Sequence, residues 1–194
     1  YLDPVGSYDV IRGEEVQILG FLEKIGGLQD TEAGKKLVCL PGTHSKWLEL
    51  HGAYITSFNT VMSGDFFSAV CSGTIMALML KTEQRFSQEA FLCGVERSMQ
   101  PGGVMSRKFK VRSSSLFDQL EPEHIESMIS GIIIGSEIDE MRKLYDSVAM
   151  VHVIGSDSLT RKYADAFEQF GIKCALYEGE ALSLAGMIRL AEKL

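Results

Sequence analysis

With 194 residues, 45% of them hydrophobic, and only four prolines, the chain has enough apolar mass for one large domain, or for a domain and a fragment. A net charge of −7 and a pI near 5.1 exclude a general nucleic-acid binder, which presents a basic face. The longest apolar run, GIIIG at 131–135, is too short for a membrane span, and no signal peptide is visible. In chain order, the apolar spacing from Glu14 onward predicts a short helix that stops near Gly26-Gly27. Three strands follow, at Lys36–Leu40, Trp47–Leu50 and Tyr54–Phe58, separated by the polar loop Pro41–Lys46 and a tight turn at His51-Gly52. Helices are predicted over Asp65–Lys81 and Ser87–Met99, then more weakly over Ser106–Leu120. A long helix starts at Glu121-Pro122-Glu123 and runs to Tyr145. Val148–Ile154 reads as a buried strand, 158–170 as a helix stopped by Gly171, Lys173–Tyr177 as a strand, and Glu178–Leu194 as a terminal helix.

A three-strand antiparallel meander, then helices, then β-α-β-α, implies an α/β fold of the ribonuclease-H-like kind with a mixed sheet. The cysteines, Cys39, Cys71, Cys93 and Cys174, lie far apart among apolar neighbours, which suits reduced thiols in a cytoplasmic protein. The four histidines (44, 51, 124, 152) share no ligand spacing with them, so no zinc site is expected. The first residues read as mid-protein sequence, and a fragment or a processed chain is expected.

Three segments could carry chemistry. In Pro41–Lys46, Gly42 lets backbone approach a ligand, Thr43 and Ser45 supply hydroxyl and N–H donors, and Lys46 supplies charge, the makings of a phosphate nest. A polar β-turn with an incidental lysine has the same composition. At 153–160, VIGSDSLT ends a buried strand in Gly155-Ser156 and opens a helix, exposing backbone at a strand's carboxyl end, although every α/β fold contains such turns. At 9–15, DVIRGEE crowds Asp9, Arg12, Glu14 and Glu15 into a helix start. Acidic residues there either suit the helix dipole or provide a general base. Gly131 and Gly135 fit close helix packing, and RKFKVR at 107–112 fits a solvated edge, with a substrate-carboxylate contact as its functional alternative.

Taken together, DVIRGEEVQILG, LPGTHSKW, SGIIIGSEI, VIGSDSLTRKYADAF and EGEALSLAGMIRLA resemble, in order and over nearly the whole chain, the 2-dehydro-3-deoxygalactonokinase family. These are sugar-acid kinases of the acetate/sugar kinase, heat-shock chaperone and actin superfamily. The resemblance implies an actin-like ATPase domain over 35–194, with 1–34 leading in from an N-terminal domain outside the chain. It implies ATP and Mg2+ as cofactors, with no direct protein ligand to the metal, and a small sugar acid as partner. No nucleic acid or membrane is involved, and a homodimer is a candidate assembly. Gly42, Thr43, Ser45 and Lys46 carry over as ATP-phosphate contacts and Gly155 and Ser156 as adenosine contacts. Glu14 carries over as the general base, with Asp9 and Glu15 as reserves, and Arg12 and Arg112 are candidates for the substrate carboxylate. Related kinases have Asp where Glu14 stands. The family's opening Asp-x-Gly-Thr-Thr loop has no match in these 194 residues, and Asp65 replaces the family's usual Glu. The implied reaction is transfer of the ATP γ-phosphate to the 6-hydroxyl of 2-dehydro-3-deoxygalactonate. Its rivals are another acceptor within the superfamily, or a nucleotide-binding module that has lost transfer.

Overall fold

The computed structural model describes residues 8–26, 34–80, 83–145 and 149–193. They form two compact units, one of Tyr1–Val61, Tyr145–Ala164 and Ile172–Leu194, the other of Met62–Leu144 and Asp165–Gly171.

A five-stranded sheet organises the first unit. β1 (Lys35–Leu40), β2 (Ser45–His51) and β3 (Tyr54–Val61) make the antiparallel meander. β4 (Val151–Gly155) lies parallel beside β1 and β5 (Cys174–Glu178) parallel beside β4, giving the order β3-β2-β1-β4-β5. The mixed ribonuclease-H-like sheet expected from the element order is the one observed. β1 sits at its centre, and Leu37 through Leu40 are all buried, as a strand covered on both faces requires. Along β1 and β2, alternate side chains (Val38, Leu40, Leu48, Leu50) meet Ile18, Phe21 and Leu22 of α1 (Glu14–Lys24) and Leu182 of α7 (Gly179–Ala191). Each of these large side chains contributes about 1.5–3 kcal/mol by leaving water.

Two glycines set how closely α1 and α7 cross. A Cβ built on Gly20 would lie 2.0 Å from the Leu182 carbonyl oxygen, and one on Gly186 2.0 Å from that of Val16. Backbone touches backbone there. β2 begins at Ser45, two residues before the expected Trp47, because Ser45 and Lys46 are buried ladder members opposite Val61 and Thr60. The start of the β4 prediction at Val148 lies outside the described residues.

The second unit is helical. It contains α2 (Ser63–Gly73), a 3-10 turn at Ile75–Leu78, α3 (Gln88–Ser98), α4 (Val104–Leu116), a 3-10 turn at Pro122–His124 and α5 (Ile125–Leu144). The helix predicted to continue past residue 73 stops there, because Thr74 turns extended (φ −118°, ψ 179°) and caps the 3-10 turn by accepting from the Met76 N–H. Lys81, its expected end, lies outside the described residues. Ile125, Met128, Ile129 and Ile132 of α5 are core residues. The Gly131 expectation of close packing holds: a Cβ there would lie 2.0 Å from the Phe91 carbonyl oxygen of α3. On α4, the Lys108 amine is 3.5 Å from the centre of the Phe66 ring. Burial lowers its pKa to about 8. In sequence α6 (Asp157–Gln169) connects β4 to β5; its residues through Ala164 belong to the first unit and those from Asp165 to the second. None of the four cysteines is joined in a disulfide. Among the described residues, no helix is long and apolar enough to cross a membrane.

Candidate functional site

At the carboxyl ends of β1 and β4, the first unit opens into a cleft of about 650 Å³. Each wall follows from the way a strand stops. β1 ends at Leu40 because Pro41 cannot donate to the ladder, and the chain turns through Gly42, Thr43 and His44 before β2 starts. A Cβ on Gly42 would meet nothing within 4 Å, so the backbone of this turn faces open space. β4 ends at Gly155, and Ser156 starts α6 by accepting from the Leu159 and Thr160 N–H groups at 3.1 and 2.9 Å. β5 ends at Glu178, whose carboxylate accepts from the Glu180 and Ala181 N–H groups at 3.0 and 2.8 Å and so starts α7. The floor is tight: a Cβ on Gly179 would stand 3.3 Å from the Gly155 Cα.

The fourth wall is the start of α1. Gly13 precedes it at φ 102°, a left-handed conformation that an L side chain resists, and no side chain caps the helix in the usual way. Instead the first-turn acids reach back. The Arg12 N–H donates to Glu14 Oε2 at 2.8 Å, and the Gly13 N–H donates to Glu15 Oε2 at 2.6 Å. Glu14 lines the cleft, joined by Gln17, which donates from Nε2 to the Gly179 carbonyl at 3.4 Å. Three helices, α1, α6 and α7, thus begin at the cleft with Glu14, Asp157 and Gly179, and the first-turn N–H groups of α7 are already taken up by Glu178.

The cleft gathers Glu14, Gly42, Thr43, Gly155 and Ser156 from three separate stretches of sequence. Other candidates stand elsewhere. Lys46 is buried with its amine donating to the Val10 carbonyl at 2.8 Å and to Thr60 Oγ1 at 2.6 Å, and it is not among the residues lining the cleft. Thr60 continues that chain, donating from Oγ1 and N–H to the Asp9 carboxylate at 2.7 Å each. Asp9 and Lys46 therefore tie the entry segment to β2 and β3. Ser45 Oγ is 3.2 Å from the Tyr163 hydroxyl of α6 and accepts a long bond from the Gly42 N–H at 3.5 Å, so it braces the turn from behind. Glu15 and Arg12 are exposed beside Gly13 and outside the lining, and Arg112 belongs to α4 of the second unit.

His44, Asp157, Glu178, Gly179 and Glu180 are cleft residues that the sequence did not single out. His44 and Asp157 sat inside motifs already marked. Glu178–Glu180 opened the marked stretch EGEALSLAGMIRLA, but nothing in it pointed to the cleft, because only the parallel pairing of β5 with β4 brings it there. A metal would find hard carboxylate oxygens in this cleft, the donor class magnesium takes. Among the described residues, however, no three His, Cys, Asp or Glu side chains cluster closely enough to hold an ion.

Comparison with known proteins decides the lineage. The 2-keto-3-deoxy-galactonokinase family pattern matches residues 3–190. The chain belongs to that family. It is 28% identical over 185 residues to the 2-dehydro-3-deoxygalactonokinase of Escherichia coli K12, covering 95% of this chain and 60% of that protein. It is 32% identical over 182 residues to a Rhizobium meliloti relative named as a probable 2-dehydro-3-deoxygalactonokinase, covering 92% and 58%. A crystal structure of a Sinorhizobium meliloti protein given the same enzyme name superposes with a TM-score of 0.85 at 31% identity, over 95% of this chain and 60% of that one. The 2-hydroxyisocaproyl-CoA dehydratase activator of Clostridium difficile, solved with bound ADPNP, superposes at 0.54 with 12% identity over 94% of this chain and 69% of that one, a likeness of fold alone. The chain spans about 60% of the length of the curated 2-keto-3-deoxy-galactonokinase relatives it matches.

Proposed function

We propose that the full-length protein is a cytoplasmic, ATP-dependent kinase that phosphorylates the 6-hydroxyl of 2-dehydro-3-deoxygalactonate. Family membership supports the reaction class. The observation that carries the site is the convergence of Glu14, the Gly42-Thr43 turn and the Gly155-Ser156 ridge on one cleft. Phosphoryl transfer asks a protein chiefly to position two oxygens in line and to stabilise charge on the transferring group. Backbone donors of the Gly42-Thr43 turn would meet the phosphates, and Gly155 and Ser156, having no bulky side chain, would accept the adenosine. Glu14 would accept the proton of the attacking hydroxyl as its oxygen bonds to γ-phosphorus and the bond to ADP breaks. The Arg12 N–H on its Oε2 keeps the side chain turned to the helix start. Arg12 itself, exposed beside Gly13, is a candidate for the sugar-acid carboxylate.

Mg2+ bound with the nucleotide would neutralise phosphate charge. The carboxylates at the cleft would hold it through water. The remaining part of the enzyme, an N-terminal domain carrying the family's first phosphate loop, would close the site from the other side and exclude water.

The test is ADP release by the full-length protein with ATP and 2-dehydro-3-deoxygalactonate, compared with Glu14→Gln. We expect kcat to fall about 100-fold or more in the variant, with KM for ATP changed no more than about threefold. Full activity in Glu14→Gln would overturn the role of Glu14. ATP binding without phosphorylation of any sugar acid would favour a module that has lost transfer.

A further inference from the structure

We propose that His44, not Lys46, is the side chain with which the turn after β1 grips the nucleotide's phosphates, and that Lys46 is a strut. This rests on the cleft being a nucleotide site. The charged side chains lining it are Glu14 from α1, Asp157 from α6, and Glu178 and Glu180 from the start of α7. Among the described lining residues there is no lysine or arginine, and His44 is the one side chain able to carry positive charge. A polyphosphate entering this cleft meets repulsion from these carboxylates, of which Asp157 is paired with Arg161 and Glu178 with its own helix N–H groups. The side that adds no carboxylate is the turn after β1. The imidazole stands on that side, on the exposed tip of the turn between Thr43 and Ser45.

The lysine two residues on is poorly placed to replace it. The residue is only 6% exposed, and its amine already donates to the Val10 carbonyl and Thr60 Oγ1. Drawing it into the cleft would give up both of these hydrogen bonds and break the relay through Thr60 to Asp9. The backbone under His44 is held in place, by contrast, since Ser45 is anchored on Tyr163 of α6 and receives the Gly42 N–H. An imidazole on such a base donates an N–H to a phosphate oxygen at small entropic cost, and does so most strongly as imidazolium.

The experiment measures binding of ATP and of AMP to the full-length protein by calorimetry, with His44→Ala, His44→Lys and Lys46→Met beside the wild type. Loss of a charge-assisted bond to the β- or γ-phosphate should weaken ATP binding about tenfold in His44→Ala, leave AMP within about twofold, and be largely restored by His44→Lys. Lys46→Met should lower the melting temperature while ATP affinity of the folded protein stays within about twofold. Unchanged ATP affinity in His44→Ala, or equal weakening of ATP and AMP, would overturn the assignment even in an enzyme that turns over normally. A tenfold loss confined to Lys46→Met would do the same. Wild-type protein that binds no ATP would sink the nucleotide site itself and this assignment with it, whereas ATP binding without turnover leaves the His44 comparison fully readable.

Discussion

Single side chains in the first unit show how burial sets their chemistry. His152 of β4 is buried, with Nδ1 3.1 Å from the Tyr177 hydroxyl and its ring against Phe21. Burial, helped by Lys36, lowers its pKa below the ordinary histidine value of 6.5. The folded chain therefore holds fewer protons on this ring than the unfolded chain does. Stability from the neutral ring is complete above 6.5 and is lost as pH falls through that value toward the lower folded one. Melting temperature should decline from pH 7 to pH 5 in the wild type and decline less in His152→Gln. Parallel slopes for the two proteins would show that another group governs the loss. Lys46 teaches the complementary point. Read in sequence, a lysine after Thr-His-Ser looks like a ligand contact; in the fold it is a ladder residue opposite Thr60 with its charge spent on backbone and hydroxyl. Nothing local distinguishes those two uses of a lysine, because the partners, Val10 and Thr60, lie 36 and 14 residues away.

Elements were legible where their ends were chemical. β1 stops where Pro41 stands, α3 starts where Ser87 accepts the Ala90 N–H, and the run into β4 is apolar but for His152. The starts of β2 and α5 were less so, since Ser45 and Lys46 are polar yet buried, and Pro122–His124 makes a 3-10 turn before α5 proper. Packing between elements was half legible. The Gly131–Gly135 spacing pointed to a close helix contact, while Gly20 and Gly186 gave no hint of each other across 166 residues of chain, yet both are needed where α1 crosses α7. Gly186→Ala would push a methyl group into the Val16 carbonyl, and the helices would have to part. We expect a loss of about 1–3 kcal/mol in denaturant unfolding, against less than about 0.5 kcal/mol for Gly73→Ala, where a Cβ meets nothing within 4 Å. Equal effects at the two positions would contradict the close crossing.

At the scale of the molecule, family membership and the sheet order agree with the reading of the motifs, and the cleft brings together stretches that the sequence could only name separately. The 194-residue chain expressed alone should show no kinase turnover, because the Asp-x-Gly-Thr-Thr loop of the family is not among its residues and transfer needs phosphate held from both sides. ADP production by the isolated chain, free of contaminating kinase, would show that loop to be dispensable.

Three helices share a starting line along one opening. An anion lodged there would lie beside the start of each, so occupancy and rigidity would rise together. Saturating nucleotide should raise the melting point and slow amide exchange in the first turns of α1, α6 and α7 together, with the far ends of the same helices left almost as they were.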